Sequence, residues 1–230
     1  MIPLGDNLPQ RSRPMVTYGL IGLSIGLFLW ESQLEAPALG DVLQTWGVVP
    51  VRMFALSQDA IAGEWLALPF LLAALLVSLF LHQGWAHLLG NLFFLRVFGA
   101  GAEATLGHGV FLVFFVLTGI LTSGLQVLLD PTLQTPLIGA NGAIAAVLGA
   151  YLVSFPKAKI DSILPLLVIF VPLELPAWFY LFWWFGQQAI YGLGSLNIPS
   201  GMNPSGWSYW THAVGLLLGA AWIKFKLLTQ

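Results

Sequence analysis

An all-α membrane protein with six transmembrane helices is the fold class this sequence predicts, and three observations predict it. Of the 230 residues, 58% are hydrophobic and only 8% are charged, whereas soluble domains carry about a quarter charged residues. Six apolar stretches approach the ~20 residues that a helix needs to cross a bilayer. Basic residues, finally, gather on one side of those stretches. A chain this apolar would aggregate in water, so the bilayer is its solvent.

Taken in order, the spans are read at 16–30, 85–98, 110–129, 142–155, 163–190 and 207–227. No cleavage site follows the first, which is therefore read as a retained span and not a secretory signal. The second and fourth are short and carry polar residues, so they belong inside a bundle. Arg11 and Arg13 precede span 1, Arg96 ends span 2, Lys157 and Lys159 join spans 4 and 5, and Lys224 and Lys226 end span 6. All basic residues except Arg52 thus share one side, while Glu31, Glu35, Asp41, Asp59 and Glu64 lie together between spans 1 and 2. Basic asymmetry sets topology, so both termini are expected in the cytoplasm, residues 1–14 as a cytoplasmic segment.

Residues 1–230 read as a single domain. The long connection 31–83 is expected outside the cytoplasm. Its stretch 65–81 is too apolar for a solvated loop, so a partly helical, membrane-associated insertion against the bundle is predicted, as backbone at membrane depth must pack on protein or line a wet cavity. Pro165, Pro172 and Pro176 argue against a straight helix at the start of span 5. The segment 192–205, rich in Gly, Asn, Pro and Ser, reads as an external loop.

Several function classes are excluded or disfavoured. A net charge of −2 with no basic block removes the electrostatic footprint of nucleic-acid binding. No cysteine is present, which excludes disulfides, a Cys-based zinc site and a cysteine nucleophile. A metal centre built on His82, His87 and His212 lacks a His-Glu-x-x-His helix, so neither metal nor cofactor is expected. A transporter would show broken helices in matching halves, and none is found.

Polar groups inside a membrane are costly, and so mark function. Four stand out: His87, Asn91, Asn141 and His212. His87 and Asn91 are four apart, on one helical face, within His82-Gln83-Gly84-Trp85-Ala86-His87-Leu88-Leu89-Gly90-Asn91. His212 shares a face with Gly215 and Gly219, where small residues let helix backbones approach closely. Gly142, Ala145, Ala146 and Gly149 give span 4 a small-residue surface that can meet span 6.

The segment Gly139-Ala140-Asn141-Gly142 resembles the Gly-x-Ser-Gly motif of rhomboid intramembrane serine proteases, with asparagine at the serine position. The His82–Asn91 stretch, the turn Gly99-Ala100-Gly101-Ala102-Glu103-Ala104-Thr105-Leu106-Gly107 and the His212-Gly215-Gly219 pattern resemble the same family in the same order. A compact six-span bacterial type is implied, an integral multi-pass protein of the inner or plasma membrane. The resemblance implies that Asn141 holds the nucleophile position and His212 that of the general base. It further implies that His87, Asn91 and the backbone of Asn141 bind the oxyanion, that His82, Gly139, Gly142, Gly215 and Gly219 support the motifs, and that Glu103 is structural. Thr211 departs from the alanine usual before that histidine. His108 is given no role.

Acyl transfer needs a nucleophile that a base can activate. A carboxamide nitrogen is delocalised and has no proton that histidine removes near neutrality. The expected function is thus a rhomboid-type protease scaffold that binds transmembrane segments of single-span membrane proteins but is catalytically inactive with Asn141: a pseudoprotease. Asn141 could also cap span 4 and reach His212. Alternatives are an active serine endopeptidase, of which this sequence is an inactivated variant or which uses another hydroxyl (Ser123, Thr135, Ser154, Ser205, Ser208 or Thr211), or a non-catalytic scaffold or chaperone-like binder. The aromatic run from Trp178 to Phe185 reads as an interfacial belt on span 5.

Overall fold

The computed structural model describes residues 1–9, 13–166, 169–196 and 208–229. Arg11, Ser205 and residues 197–205 of the expected external loop lie outside them, as do the side chains of residues 191–196 and 208–210.

The first helix, α1 (Met15–Glu31), is apolar around its whole circumference. Its opening N–H groups lack intrahelical partners, and a distant side chain supplies them. Glu103 accepts from the backbone N–H of Val16 at 2.9 Å and of Thr17 at 2.8 Å, and from the Thr17 hydroxyl at 2.7 Å. This buried carboxylate thus ties the Gly99–Gly107 turn to the start of α1. His108 completes it, contrary to expectation, through a hydrogen bond from Nδ1 to the same carboxylate.

Residues 36–80 fold into three helices, α2 (Ala36–Trp46), α3 (Pro50–Ile61) and α4 (Ala67–Val77), with a 3-10 turn at Ser78–Phe80. Both α2 and α3 begin with proline in their first turn, where its missing N–H costs nothing. The insertion is helical and lies against α7 (His108–Leu129) through α3 and α4. Between Phe80 and Trp85 the chain bends by 86° into α5 (Trp85–Phe94). A π turn at Leu95–Gly99 carries it on to α6 (Ala100–Leu106).

The centre of the molecule is α8 (Asn141–Ser154). Every residue from Ala143 to Tyr151 is buried, as expected of a helix apolar on all sides. α7 lies on one side of it and α10 (Ser208–Leu228) on another. Among the described residues, α7 and α10 are long and apolar enough to cross a membrane, the bent pair α4 and α5–α6 would make a third span, and α1 and α8 are shorter apolar helices.

The stretch 159–176 differs from its sequence reading. Only its part from 163 belongs to the expected helical span 5; the stretch forms two strands instead, β2 (Lys159–Leu166) and β3 (Ile169–Pro176), and β1 (Ile2–Asp6) adds to them in the order β1-β2-β3. All pairs are antiparallel, with Ile2 opposite Ile163, Asp6 opposite Ile160, and Lys159 opposite Pro176. Pro165, Pro172 and Pro176, with the β-branched residues around them, explain the outcome: each proline removes a helical donor, and Ile and Val favour the pleated surface. Helix resumes only at α9 (Ala177–Leu196), which continues past the expected loop boundary at 192.

Candidate active site

Gly139 sets the geometry before α8. Its φ of +91° lies where a side chain is strained, and a Cβ there would sit 2.5 Å from His87 Nε2 and 3.3 Å from the Asn91 amide nitrogen. Its N–H donates to the Ser78 carbonyl at 2.8 Å. The loop is thus fastened to the 3-10 turn while its bare Cα lets the His87 ring close over it.

Asn141 is the first residue of α8. Ala140, not Asn141, occupies the N-cap position, and no side chain caps this end. The expected capping role is therefore not realised. The Asn141 side chain turns to α5, its Oδ1 accepting from His87 Nε2–H at 3.2 Å. The neighbouring pair is equally defined: His82, buried, donates from Nδ1 to the Phe80 carbonyl at 2.9 Å, which leaves its Nε2 to accept from the Asn91 amide at 3.1 Å. Asn91 keeps one further N–H. The His82 and His87 rings meet edge-on, 5.0 Å between centroids. Glu31, an acid expected near the outer surface, is instead buried and accepts the His82 backbone N–H at 3.2 Å.

His212 arrives from the other side on α10. The seam between α8 and α10 is a contact of backbones. A Cβ on Gly219 would fall 1.8 Å from the Ala146 carbonyl oxygen, one on Gly149 2.0 Å from that of Leu216, and one on Gly215 2.5 Å from that of Gly142. Gly142 itself turns its Cα toward α7, where a Cβ would meet the Thr122 hydroxyl at 2.0 Å. These glycines therefore clamp α8 between α7 and α10 and deliver His212 to the end of α8 that bears Asn141.

A cavity of about 290 Å³ opens at that end. His87, Asn141, His212, Gly139 and Gly142 all line it, with Gln83, Thr122, Ser123, Gln126, Thr135 and Thr211 adding polar groups. So the sequence-predicted residues converge: Asn141 and His212 face one hollow, with His87 beside them, while Asn91 stands behind, against His82 and Gly139. Glu103 is remote, at the start of α1.

One residue escaped sequence reasoning. Gln188, on α9, accepts at Oε1 from His212 Nδ1–H at 2.9 Å. Trp184, one turn earlier, lies with its ring 5.7 Å from the same imidazole. An amide acceptor on Nδ1 leaves Nε2 as the basic nitrogen. An amide in span 5, four residues after a tryptophan, was the available signal, but it lay inside an aromatic run that already had an explanation.

The Rhomboid domain family model matches residues 70–228, from α4 to the last turn of α10. The chain belongs to the rhomboid family. It has the scaffold of a rhomboid-type intramembrane protease, and with its apolar helices it is an integral membrane protein whose family acts on membrane-embedded proteins in lipid. No curated protein matches it. The match covers every residue that lines the cavity, and it excludes α1, α2 and α3.

Proposed function

We propose that this rhomboid receives transmembrane segments of single-span client proteins and does not cleave them, because Asn141 stands where the nucleophile is needed. The observation that carries this reading is the shared cavity of Asn141, His87 and His212. Histidine held by Gln188 is positioned as a base, but the group opposite it is a carboxamide. Such a group has no ionisable proton to surrender and no free lone pair on nitrogen for attack. His87 Nε2–H, aimed at Asn141 Oδ1, is a donor directed at a carbonyl-type oxygen. That is the demand an oxyanion makes on its site. The Asn141 amide thus occupies space in which a substrate carbonyl would be polarised.

Six spans with both termini cytoplasmic in a bacterial inner or plasma membrane remain our reading, supported by the one-sided placement of Arg and Lys. The test of function is reversion. Asn141→Ser in proteoliposomes with a single-span substrate is expected to cleave it, and Asn141→Ser with His212→Ala is expected not to. Retention of cleavage without His212 would refute the assigned base. A revertant that binds the substrate but leaves it intact would show that more than the nucleophile is missing.

A second reading is active proteolysis through another hydroxyl, favoured by the presence of Ser123, Thr135 and Thr211 in the same cavity. A fluorophosphonate probe decides: stoichiometric labelling of the chain with Asn141 in place would establish that reading.

A further inference from the structure

The β2–β3 hairpin has an unusual distribution of polarity. Cross-strand partners share a face, so Ile160 with Leu175, Ser162 with Leu173, Leu164 with Val171 and Leu166 with Ile169 form one face, and Lys159 with Pro176, Asp161 with Glu174, Ile163 with Pro172 and Pro165 with Phe170 form the other. The root carries the charges: Lys159, Asp161 and Glu174, with Lys159 Nζ 2.5 Å from Glu174. Beyond Ser162, none of the described residues on either face is polar. A hairpin standing in water alternates apolar and polar faces, and a strand apolar on both faces is covered on both. The protein does not cover this one: burial fades along the inner face from Ile160 at 0% to Leu166 at 52% exposure, and Ile169 and Phe170 are each 62% exposed.

The direction of the hairpin is fixed by its neighbours. Its root is pinned to the start of α9, since Ala177 N–H donates to the Ala158 carbonyl at 2.7 Å and Trp178 N–H to that of Pro156 at 3.1 Å. Four residues up β2, Ile163 lies opposite Ile2. Met1, next to Ile2, accepts from the hydroxyl of Tyr180, one turn into α9, at 3.0 Å. β1 also packs on α5. The hairpin therefore rises alongside α9 in the direction in which that helix leaves the boundary, and it does not splay away from the bundle. On its outer side α9 exposes Trp178, Phe179, Phe182 and Trp183, and the exposed Leu166, Ile169 and Phe170 belong to a hairpin rooted at the same end of that helix.

Backbone placed in lipid is costly wherever its N–H or C=O groups are unpaired, and an open sheet edge is the costly case, so the fewer groups these edges leave unpaired the better they tolerate lipid. β1 pairs with β2 only as far as Ile163, and the next part of β2 contains Pro165. Among the described residues, no strand pairs with the outer edge of β3, which carries Pro172 and Pro176. Proline has no N–H, which suits it to an uncovered edge.

We propose that the tip half of the β2–β3 hairpin, residues 163–166 of β2 and 169–172 of β3, is immersed in the acyl region of the adjoining leaflet as a β wedge beside α9, with lipid as its partner. This is independent of whether the protein cleaves anything. The chain has no cysteine, so single-cysteine probes need no background changes. Phe170→Cys, Ile169→Cys and, at the root, Asp161→Cys are labelled with an environment-sensitive fluorophore in proteoliposomes. At 169 and 170 we expect blue-shifted emission, quenched severalfold more by nitroxide on lipid acyl chains than by aqueous iodide. At 161 the order reverses. Iodide quenching at 169 and 170 would place the tip in water and overturn the proposal. Blue-shifted emission that neither agent quenches would put protein, such as a second copy of this chain, over the tip, and would overturn it equally.

Discussion

The two sides of α8 are built on opposite rules. On the α10 side the intervening side chains are small or absent: Gly215, Gly219 and Gly149 bring one helix backbone against another at distances a single Cβ would violate. On the α5 and α9 side, contact runs through large rings. Phe98, in the π turn after α5, meets Tyr151 of α8 at 5.0 Å, and beyond it Phe94 of α5 meets Trp184 of α9 at 6.0 Å, while the outer face of α9 is left exposed. The difference teaches where accuracy is needed. A histidine that must face a fixed position on α8 is carried on the helix whose approach cannot vary. A surface that meets deformable lipid is made of side chains that can rearrange.

The comparison is broken most forcefully at Gly219. Gly219→Val drives methyl groups into the Ala146 carbonyl and should destabilise the protein by about 3 kcal/mol or more, the upper range for overpacking. Thermal unfolding in detergent reads it, and a change under about 1 kcal/mol would mean that the seam can relax. Next comes Glu103→Ala, which leaves the first donors of α1 and the Thr17 hydroxyl without their carboxylate. The expected loss is about 3 kcal/mol, since bonds to a charged acceptor are the stronger class. An unchanged midpoint would show that water replaces Glu103.

Smaller still is Gln188→Ala in the Asn141→Ser protein. Losing one hydrogen bond to the imidazole should lower kcat/KM about fivefold, near 1 kcal/mol. It should also permit both ring tautomers, visible in the nitrogen shifts of labelled histidine. A single unshifted tautomer would remove Gln188 from its positioning role. Phe182→Ala, on the lipid face, should fall within about 0.5 kcal/mol of the parent. A large loss there would mean that protein, not lipid, covers α9.

Much of this was legible in the sequence because the signals were local and chemical. Gly215 and Gly219 after His212 announced a close helix contact, and His87 and Asn91 announced one polar face. Their order with Gly139-Ala140-Asn141-Gly142 pointed to the family. Residues 163–176 were misjudged for a physical reason: hydropathy reports which solvent a segment prefers, and it is silent on whether the backbone pairs internally or with another strand. The partner that decided it, β1, lies more than 150 residues away in the chain. Gln188 was missed because its role depends on a contact across two helices, and so was the tie between Asn141 and His87, since capping was the nearer explanation.

On the proposed reading, position 141 and His212 address each other across one cavity and only the nucleophile is absent. Fluorophosphonate labelling of Asn141→Ser, with the modified residue located by mass spectrometry, tests it most directly. The account predicts modification at residue 141, abolished by His212→Ala and not seen in the parent chain. Modification at another hydroxyl, or none at 141 in a folded revertant, would contradict it.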